Sequence, residues 1–444
     1  MYHIFCILIG KLLIVIGKFF KRGSSLPGAI ILKFNHKIMH YFQLPKIVIA
    51  VTGSSGKGSI SSLITKVLET QGYQVAHNKA GSNLTPGILT LLLKYSTLFG
   101  KLKCDVLVYE IDERYTKYVF DSITPNYVVI SNISRDQPPR QGHFDLVYEE
   151  ITKALTPSMH LILNADDPYL QKFTLNQTNP VTYYSIAKNQ YSYNKNKFMN
   201  LNLNYCPICN HKLKYQYYNF ETIGDYHCSY CEFQKPIANY TVTKMDYTKA
   251  IITIDNQNKI QLPYIILYDV YNTLAAFTIL CILGLQKEKI CQTLSDIHKN
   301  EKLFDVLEMD QRIVTVLNNK NENSSTFNQS LLYINRFKED KTIVIGWKEI
   351  SRRYQFDDLS WLYDIDFELL KQNKVHKFIC IGIHRYDIAT RLKYAGIVEK
   401  DIVVFEQIKE SIPYIKTKTK GNIYAILNFD YIEPFKQEMR GESK

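Results

Sequence analysis

Residues 51–59 read Val-Thr-Gly-Ser-Ser-Gly-Lys-Gly-Ser, and this stretch decides both the fold and the candidate site of the chain. An apolar run at residues 46–51 precedes it, and residues 60–69 after it have the pattern of a helix. A glycine turn between a strand and a helix binds phosphate, because glycine lets the backbone approach the anion and the helix start presents N–H groups. The stretch predicts a nucleotide-binding loop; a turn without a ligand is the alternative.

The residue types in this loop indicate which part of a nucleotide each would contact. The Lys57 ammonium group would reach the terminal phosphates, and a hydroxyl such as that of Ser59 would lie near Mg²⁺. A nucleotide and Mg²⁺ are therefore the predicted ligands, and the resemblance described below implies that the nucleotide is ATP. The other residues predicted to contact the nucleotide are Gly53, Ser54, Gly56 and Gly58.

The composition is that of an ordinary globular protein with an excess of basic residues. The 444 residues are 46% hydrophobic and 22% charged, which suffices for two or three domains. The formal net charge of +12 suits acidic partners such as phosphorylated substrates or an anionic membrane surface. No basic cluster or motif indicates nucleic acid. The nine cysteines are too few for a disulfide scaffold, and they predict a reducing, cytoplasmic location.

The N-terminal segment, residues 4–20, is strongly apolar, but Lys11 and Lys18 interrupt it. It therefore matches neither an uninterrupted apolar span of about 20 residues nor the apolar part of a cleaved signal peptide. Three interpretations stay open: a helix packed on the domain, a helix in the plane of a membrane surface, and a membrane anchor.

Alternation of short apolar strands with helical segments predicts the fold class. We expect a helical lead-in at residues 1–44, a mostly parallel α/β sheet at 45–300 and a second α/β domain at 301–444. Ligands of such sheets bind beyond the carboxyl ends of the strands, where residues 53–59 would lie. The strands predicted for the first domain are 47–51, 73–77, 106–110, 127–132, 160–164 and 181–185.

Four of the cysteines form two pairs, Cys206-Pro-Ile-Cys209 and Cys228-Ser-Tyr-Cys231, which 18 residues separate. Each turn points two thiolates inward, and two such turns complete a tetrahedral Zn²⁺ site. We therefore predict a zinc ribbon inserted at about residues 200–235. Four protein ligands leave no open position, so this zinc would be structural. The alternatives are a redox or disulfide pair, and replacement of one thiolate by His211 or His227.

Acidic residues follow another predicted strand. Glu110 ends the strand 106–110, and Asp112 and Glu113 come directly after it. A carboxylate close to a lysine loop holds Mg²⁺ through oxygen ligands or water. The alternative is an exposed acidic helix start.

Four further motifs follow the loop in order: Glu-Ile-Asp-Glu at 110–113, Arg-Asp-Gln at 135–137, Asn-Ala-Asp-Asp at 164–167 and Tyr-Asp-Val-Tyr-Asn-Thr-Leu-Ala-Ala at 268–276. Together they resemble the central domain of the Mur ligase family, and the loop is also similar to that of folylpolyglutamate synthases. The first two motifs and the cysteine pairs look like the MurT group of Mur ligases. The resemblance implies a Mur ligase-type central ATPase domain and a Rossmann-like C-terminal α/β domain.

The resemblance also implies roles for single residues. Glu110 would be associated with Mg²⁺, Gln137 would contact metal or phosphate, and Asn272 would lie near adenine. Asp358 would complete a catalytic Cys-His-Asp arrangement whose cysteine and histidine belong to a glutaminase partner. Lys57 and Asp358 are thus the expected catalytic residues.

The activity implied by the resemblance is ATP-dependent amidation of lipid II during peptidoglycan synthesis. The α-carboxylate of D-glutamate in the stem peptide would become an acyl phosphate. Ammonia from a GatD-type glutaminase, the other subunit of a heterodimer, would convert it to D-isoglutamine. The substrate is linked to lipid, so contact with the inner face of the membrane is compatible with this activity.

Two segments depart from the pattern of the MurT group. Residues 322–328 lack the expected lysine, proline and glycine, and residues 347–356 replace an expected Asn-Asp-Asn-Ala-Asp-Gly loop. Two alternatives therefore remain open: a non-catalytic scaffold of Mur ligase type, and an amino acid ligase similar to folylpolyglutamate synthases.

Overall fold

The structure is a computed structural model that describes residues 1–19, 24–78, 82–134, 144–175, 177–198, 204–299, 304–317, 324–347, 359–371 and 374–441. These residues form two compact units: the first contains the described residues of 1–195 and 204–299, and the second contains those of 304–441 together with 196–198. Each unit is built on a mixed α/β sheet with mainly parallel strands, as the alternating sequence pattern predicts.

The first unit contains a large sheet and a separate hairpin. Its strands are β1 (Ile47–Thr52), β2 (Val75–His77), β3 (Val106–Glu110), β4 (Tyr127–Ile130), β5 (His160–Asn164), β6 (Val181–Ile186), β7 (Lys214–Phe220), β8 (Ile223–His227), β9 (Tyr240–Asp246), β10 (Ile251–Ile254) and β11 (Asn258–Gln261). Within the described residues the sheet order is β11-β10-β9-β6-β5-β4-β1-β3-β2. Only the β9-β10-β11 end is antiparallel. Strands β7 and β8 pair with each other.

Helices cover this sheet and precede it in the chain. They are α1 (Tyr2–Phe19), α2 (Leu26–Phe34), α3 (Lys57–Thr70), α4 (Thr85–Tyr95), α5 (Thr116–Phe120), α6 (Phe144–Ala154), α7 (Pro168–Gln171), α8 (Leu267–Ile282) and α9 (Lys287–Lys299). Strand β1 has an almost continuous apolar sequence because it is buried in the middle of the sheet. No helix in the described part of the chain has both the length and the apolarity to cross a membrane.

The second unit has a smaller sheet in the order β12-β13-β17-β14-β15-β16. Its strands are β12 (Phe304–Met309), β13 (Arg312–Leu317), β14 (Lys341–Gly346), β15 (Val375–Ile381), β16 (Ile402–Phe405) and β17 (Asn422–Leu427). Its helices are α10 (Ser324–Asn335), α11 (Arg385–Tyr394), α12 (Ile408–Lys418) and α13 (Phe429–Arg440). Among the described strands of this unit, only the β12-β13 pair is antiparallel, and the others form a Rossmann-like parallel core.

The order of strands in the first sheet indicates where a ligand would bind. Strand β1 lies between β4 and β3, and the chain leaves β1 towards β2 on one side and leaves β4 towards β5 on the other. The strand order therefore reverses between β1 and β4. In α/β sheets of this kind a crevice forms beyond the carboxyl ends of such strands. Residues 53–56, which follow β1, lie at this crevice.

Candidate functional site

The loop after β1 needs glycine at two positions. Gly53 has φ +124° and Gly56 has φ +83°, a region that side chains disfavour. A Cβ atom at Gly53 would collide with the Ser131 hydroxyl oxygen, and one at Gly56 would collide with the Asn272 amide oxygen. Glycine therefore permits both the turn and its close contact with the loop after β4 and with α8.

The loop after β4 holds the loop after β1 in place. The Ser54 N–H donates to the Asn132 carbonyl oxygen at 2.9 Å, and the Ser55 N–H donates to the Asn132 side-chain oxygen at 3.1 Å. The Ser134 N–H donates to the Ser54 hydroxyl at 2.9 Å. The Ser131 hydroxyl donates to the Ser55 carbonyl oxygen at 2.5 Å. These bonds fix the loop in a defined shape before any ligand arrives.

Lys57 begins helix α3, directly after the loop. Its ammonium group donates to the Gly53 carbonyl oxygen and lies 3.2 Å from the Glu113 carboxylate. The side chains of Lys57 and Glu113 are only 11% and 1% exposed, so this is a buried ion pair. The lysine is therefore held over the loop, where phosphate oxygens would accept hydrogen bonds from its ammonium group.

Glu110 lies at the carboxyl end of β3, beside the start of α3. Its carboxylate accepts a hydrogen bond from the Asn83 amide at 3.1 Å, and Asn78 bonds to its backbone N–H and carbonyl at 2.9 and 2.8 Å. A Cβ atom at Gly58 would lie 3.2 Å from this carboxylate. Glycine at that position therefore lets the helix approach the acid, whose oxygens suit Mg²⁺.

The next acid in the motif has a structural partner. Arg114 binds Asp112 through two nitrogens, at 2.9 and 2.8 Å. Burial by itself would raise the pKa of Asp112, but the hydrogen bonds and charge of Arg114 outweigh it and lower this pKa below its ordinary value. The Asp112 carboxylate therefore stays ionised and fixes the turn that carries Glu113.

The predicted nucleotide residues in the described part of the chain gather around this loop. Asn272 reaches the loop from α8, and Ser59 is exposed on the first turn of α3. Gln137 and Asp358 lie outside the described residues, so their expected roles stay predictions.

The Asn-Ala-Asp-Asp turn joins several distant segments at one buried carboxylate. Asp166 accepts hydrogen bonds from the Ile186 N–H at 2.7 Å and from the Tyr271 hydroxyl at 2.8 Å. Its other oxygen lies 2.6 Å from the Lys235 ammonium group, and its carbonyl accepts from the Gly224 N–H at 2.9 Å. Burial raises the pKa of Asp166, and the charge of Lys235 opposes that shift. We call this set of contacts the Asp166 junction.

We expect Lys235→Met to lower the free energy of unfolding of the first unit by about 3 kcal/mol, because it leaves the Asp166 carboxylate buried without its cation. Urea unfolding measures this change. Lys244→Met removes an exposed lysine from β9 and serves as the control. Adding Asp166→Asn to Lys235→Met should recover part of the loss. Equal stability of Lys235→Met and the control would contradict the prediction.

Asp167, in the same turn, makes the stability of the folded chain depend on pH. Its carboxylate caps α7 by accepting the Tyr169 N–H at 2.9 Å, and burial raises its pKa from 3.8 to about 6. The folded state therefore binds this proton more tightly than the unfolded state does. The resulting stabilisation is complete below pH 3.8 and is lost as the pH rises through about 6.

We expect Asp167→Asn to keep the cap and to remove this pH dependence, since asparagine caps helices as well as aspartate does. At pH 8 the variant should be more stable than the parent chain by up to about 3 kcal/mol, and near pH 4 the two should be equal. Urea unfolding at both pH values measures the difference. A difference that does not change with pH would refute the assignment.

The four predicted zinc ligands meet at one point beside the β7-β8 hairpin. Their Sγ atoms all lie within 4.8 Å of one another, and the closest pairs are Cys209–Cys228 at 3.4 Å and Cys206–Cys231 at 3.5 Å. None of these cysteines is in a disulfide. Tetrahedral Zn²⁺ with bonds of about 2.3 Å separates its sulfur ligands by about 3.8 Å, so the cluster fits this ion.

Sequence reasoning missed contacts between residues far apart in the chain. It assigned no partner to Lys57, gave no role to Asn132, and did not connect Lys235 with Asp166. The signal for Glu113 was present, because that acid follows β3, the neighbour of β1. The pairing of Lys235 had no local signal, because only the fold of the hairpin region brings this lysine to the sheet.

Comparison with known proteins agrees with the fold and the loop. The Mur ligase middle domain matches residues 51–280, and the MurT ligase C-terminal family matches residues 320–431. The chain therefore belongs to the Mur ligase family, a class of ligases. Within that class its relatives include subunit MurT of lipid II isoglutaminyl synthase from Staphylococcus aureus strain COL. The two chains are 29% identical over 94% of this chain and 93% of the relative.

A second relative supports the same placement, and a solved structure supports the fold. The MurT subunit from Streptococcus pneumoniae strain R6 is 26% identical over 94% of this chain and 92% of its own. A pseudomurein peptide ligase type C from Methanothermus fervidus has a similar fold. Its TM-score is 0.70 at 21% identity, covering 92% of this chain and 81% of the other. The predicted Mur ligase fold is thus confirmed.

Proposed function

We propose that the chain is the ligase subunit of a lipid II isoglutaminyl synthase, acting with ATP, Mg²⁺ and a GatD-type glutaminase. The observation that carries this proposal is the loop after β1, where Lys57, Glu110 and Asn272 come together in a chain similar to MurT subunits over most of its length. The proposed place of action is the cytoplasm, where ATP is available, at the inner face of the membrane that holds the lipid-linked substrate.

The proposed reaction has two balanced steps. The α-carboxylate of D-glutamate takes the γ-phosphoryl group of ATP, which gives an acyl phosphate and ADP. Ammonia from glutamine hydrolysis then attacks the acyl carbon and expels phosphate, which leaves the amide of D-isoglutamine. Lys57 would stabilise the negative charge on the transferring phosphoryl group, and Glu110 would hold Mg²⁺. Asn272 would orient the adenine ring.

The second unit supports the proposed role of Asp358 through the segment that follows it. Arg391 is 3% exposed and donates to the carbonyl oxygens of Leu362 and Ile365 at 3.1 and 2.5 Å. It also binds both carboxylate oxygens of Glu368, at 3.0 and 2.9 Å. Four hydrogen bonds from one guanidinium group thus fix residues 362–368. An acid that must orient a histidine of another protein benefits from such a rigid neighbour.

The test is amidation of lipid II by the purified chain with ATP, in the presence and absence of the glutaminase, followed by mass spectrometry. We expect glutamine-dependent amidation only when both proteins are present. Asp358→Asn should abolish amidation from glutamine but leave amidation from ammonium chloride, because only ammonia production needs that residue. Loss of both activities would contradict the assigned role of Asp358.

The same assay separates the two alternative functions. ATP hydrolysis that depends on free glutamate and needs no glutaminase would indicate an amino acid ligase similar to folylpolyglutamate synthases. A stable complex with the glutaminase and no ATP turnover would indicate a scaffold. The Asn328 side chain, within the divergent 322–328 segment, is buried and accepts the Asp366 N–H at 2.8 Å. That part of the segment therefore keeps a defined structural contact.

A further inference from the structure

Helix α1 carries a continuous apolar stripe on its outer face. The stripe repeats at intervals of three and four residues, which places its side chains on one side of the helix. At 1.5 Å per residue it extends for about 21 Å. Its members and their exposed fractions are Phe5 59%, Leu8 44%, Leu12 55%, Val15 56%, Ile16 53% and Phe19 85%. We call this surface the α1 stripe.

The opposite face of α1 is fixed to the first unit. Cys6, Ile7 and Ile14 are buried in the core that α1 shares with α2 and α4. The Lys11 ammonium group donates to the carbonyl oxygens of Leu93 and Ser96 at the end of α4, both at 2.6 Å. The orientation of α1 is therefore set by packing, and the α1 stripe points away from this core.

The chain segment that carries the stripe is basic. The first acidic residue of the chain is Glu69, whereas residues 1–68 contain nine basic ones. The whole chain, in contrast, has 54 basic and 42 acidic residues. A basic region with an exposed apolar helix matches an anionic lipid surface, where apolar side chains enter the acyl boundary and cations meet the headgroups. Lys11 is bonded to α4 and Lys57 is paired with Glu113; the other basic residues of this segment are Lys18, Lys21, Arg22, Lys33, Lys37, Lys46 and Lys66.

We propose that the α1 stripe binds the surface of an anionic bilayer, with α1 lying in the membrane plane. This inference goes beyond the proposed function, although it would bring that site to a lipid-linked substrate. A second copy of the chain is a poorer occupant, since two such stripes face to face would bring the two acid-free regions together. The repulsion between them would oppose association.

The test is co-sedimentation of the full chain with vesicles that contain no lipid II. One set contains phosphatidylglycerol and phosphatidylcholine in equal parts, and the other contains phosphatidylcholine alone. We expect binding to the anionic set to be at least about tenfold tighter. Leu12→Glu with Val15→Glu should weaken that binding by at least about tenfold. Phe99→Glu with Ile237→Glu, two apolar residues exposed elsewhere, should not weaken it.

Circular dichroism and thermal unfolding establish that both double variants fold, since all four replaced side chains are exposed. Equal vesicle binding by the parent chain and the stripe variant overturns the proposal, as does absence of binding to anionic vesicles. Concentration-dependent dimers that only the stripe variant abolishes, without vesicle binding, would also overturn it in favour of a second copy. These vesicles contain neither substrate nor nucleotide, so failure of the proposed ligase function would leave this result unaffected.

Discussion

Lys57→Met is expected to reduce amidation turnover by about 10³-fold or more, whether glutamine or ammonium chloride supplies the nitrogen. The lysine is the cation held over the loop, and its charge is needed when negative charge moves between phosphate and carboxylate. Initial rates of ADP release and amide formation measure the effect. Lys66→Met, on the same helix, serves as the control for loss of a lysine from α3.

This substitution also removes the partner of the Glu113 carboxylate, which is buried. Lys57→Met combined with Glu113→Gln avoids that unpaired charge and should regain stability without regaining turnover. Recovery of turnover in this double variant would show that Lys57 acts only through folding. Normal turnover in Lys57→Met would refute its catalytic role.

Cys206→Ser combined with Cys228→Ser is expected to remove the bound metal and the order of the hairpin region. Two of four thiolates are lost, and structural Zn²⁺ in small sites contributes an apparent binding free energy of about 10–16 kcal/mol to folding. Elemental analysis should find one zinc per parent chain and about none in the variant. Amide hydrogen exchange in β7 and β8 should accelerate.

Cys104→Ser provides the control, because Cys104 lies in the first unit and outside the cluster. The metal assignment would be contradicted if the parent chain, expressed in medium that contains zinc, holds no zinc and keeps the four thiols of the cluster reactive. A disulfide in the purified chain would favour the redox alternative.

The sequence predicts the strand, turn and helix of the loop after β1, but it does not predict all of their bounds. Glycine, lysine and the apolar run identify strand, turn and helix without tertiary information. The helix was expected from Ile60, but it begins at Lys57, because Gly56 adopts the left-handed conformation that ends the turn. An apolar stripe in the sequence predicts a helix at residues 272–285, whereas α8 spans Leu267–Ile282 and its first turn is largely buried.

Some strands had no clear local signature. Strand β12 mixes charged residues with apolar ones because it is an antiparallel edge strand, and sequence reasoning read only a domain boundary before it. The strands that the sequence predicts for the second domain are 313–317, 342–345, 378–381 and 402–405. Strand β17 is apolar and central, yet it is not among them. The contacts of Lys57 with Glu113 and of Lys235 with Asp166 depend on the pairing of strands, which no single segment encodes.

The Asp166 junction also sets an order of events during folding. Its aspartate and tyrosine are 105 residues apart in the chain, and residues 186, 224 and 235 supply the contacts between them. Closing such long loops costs entropy before the contacts are made, so these contacts form late. On the ribosome the junction cannot close until Tyr271 has emerged. A nascent chain that stops earlier would present an incomplete sheet, which chaperones would have to protect.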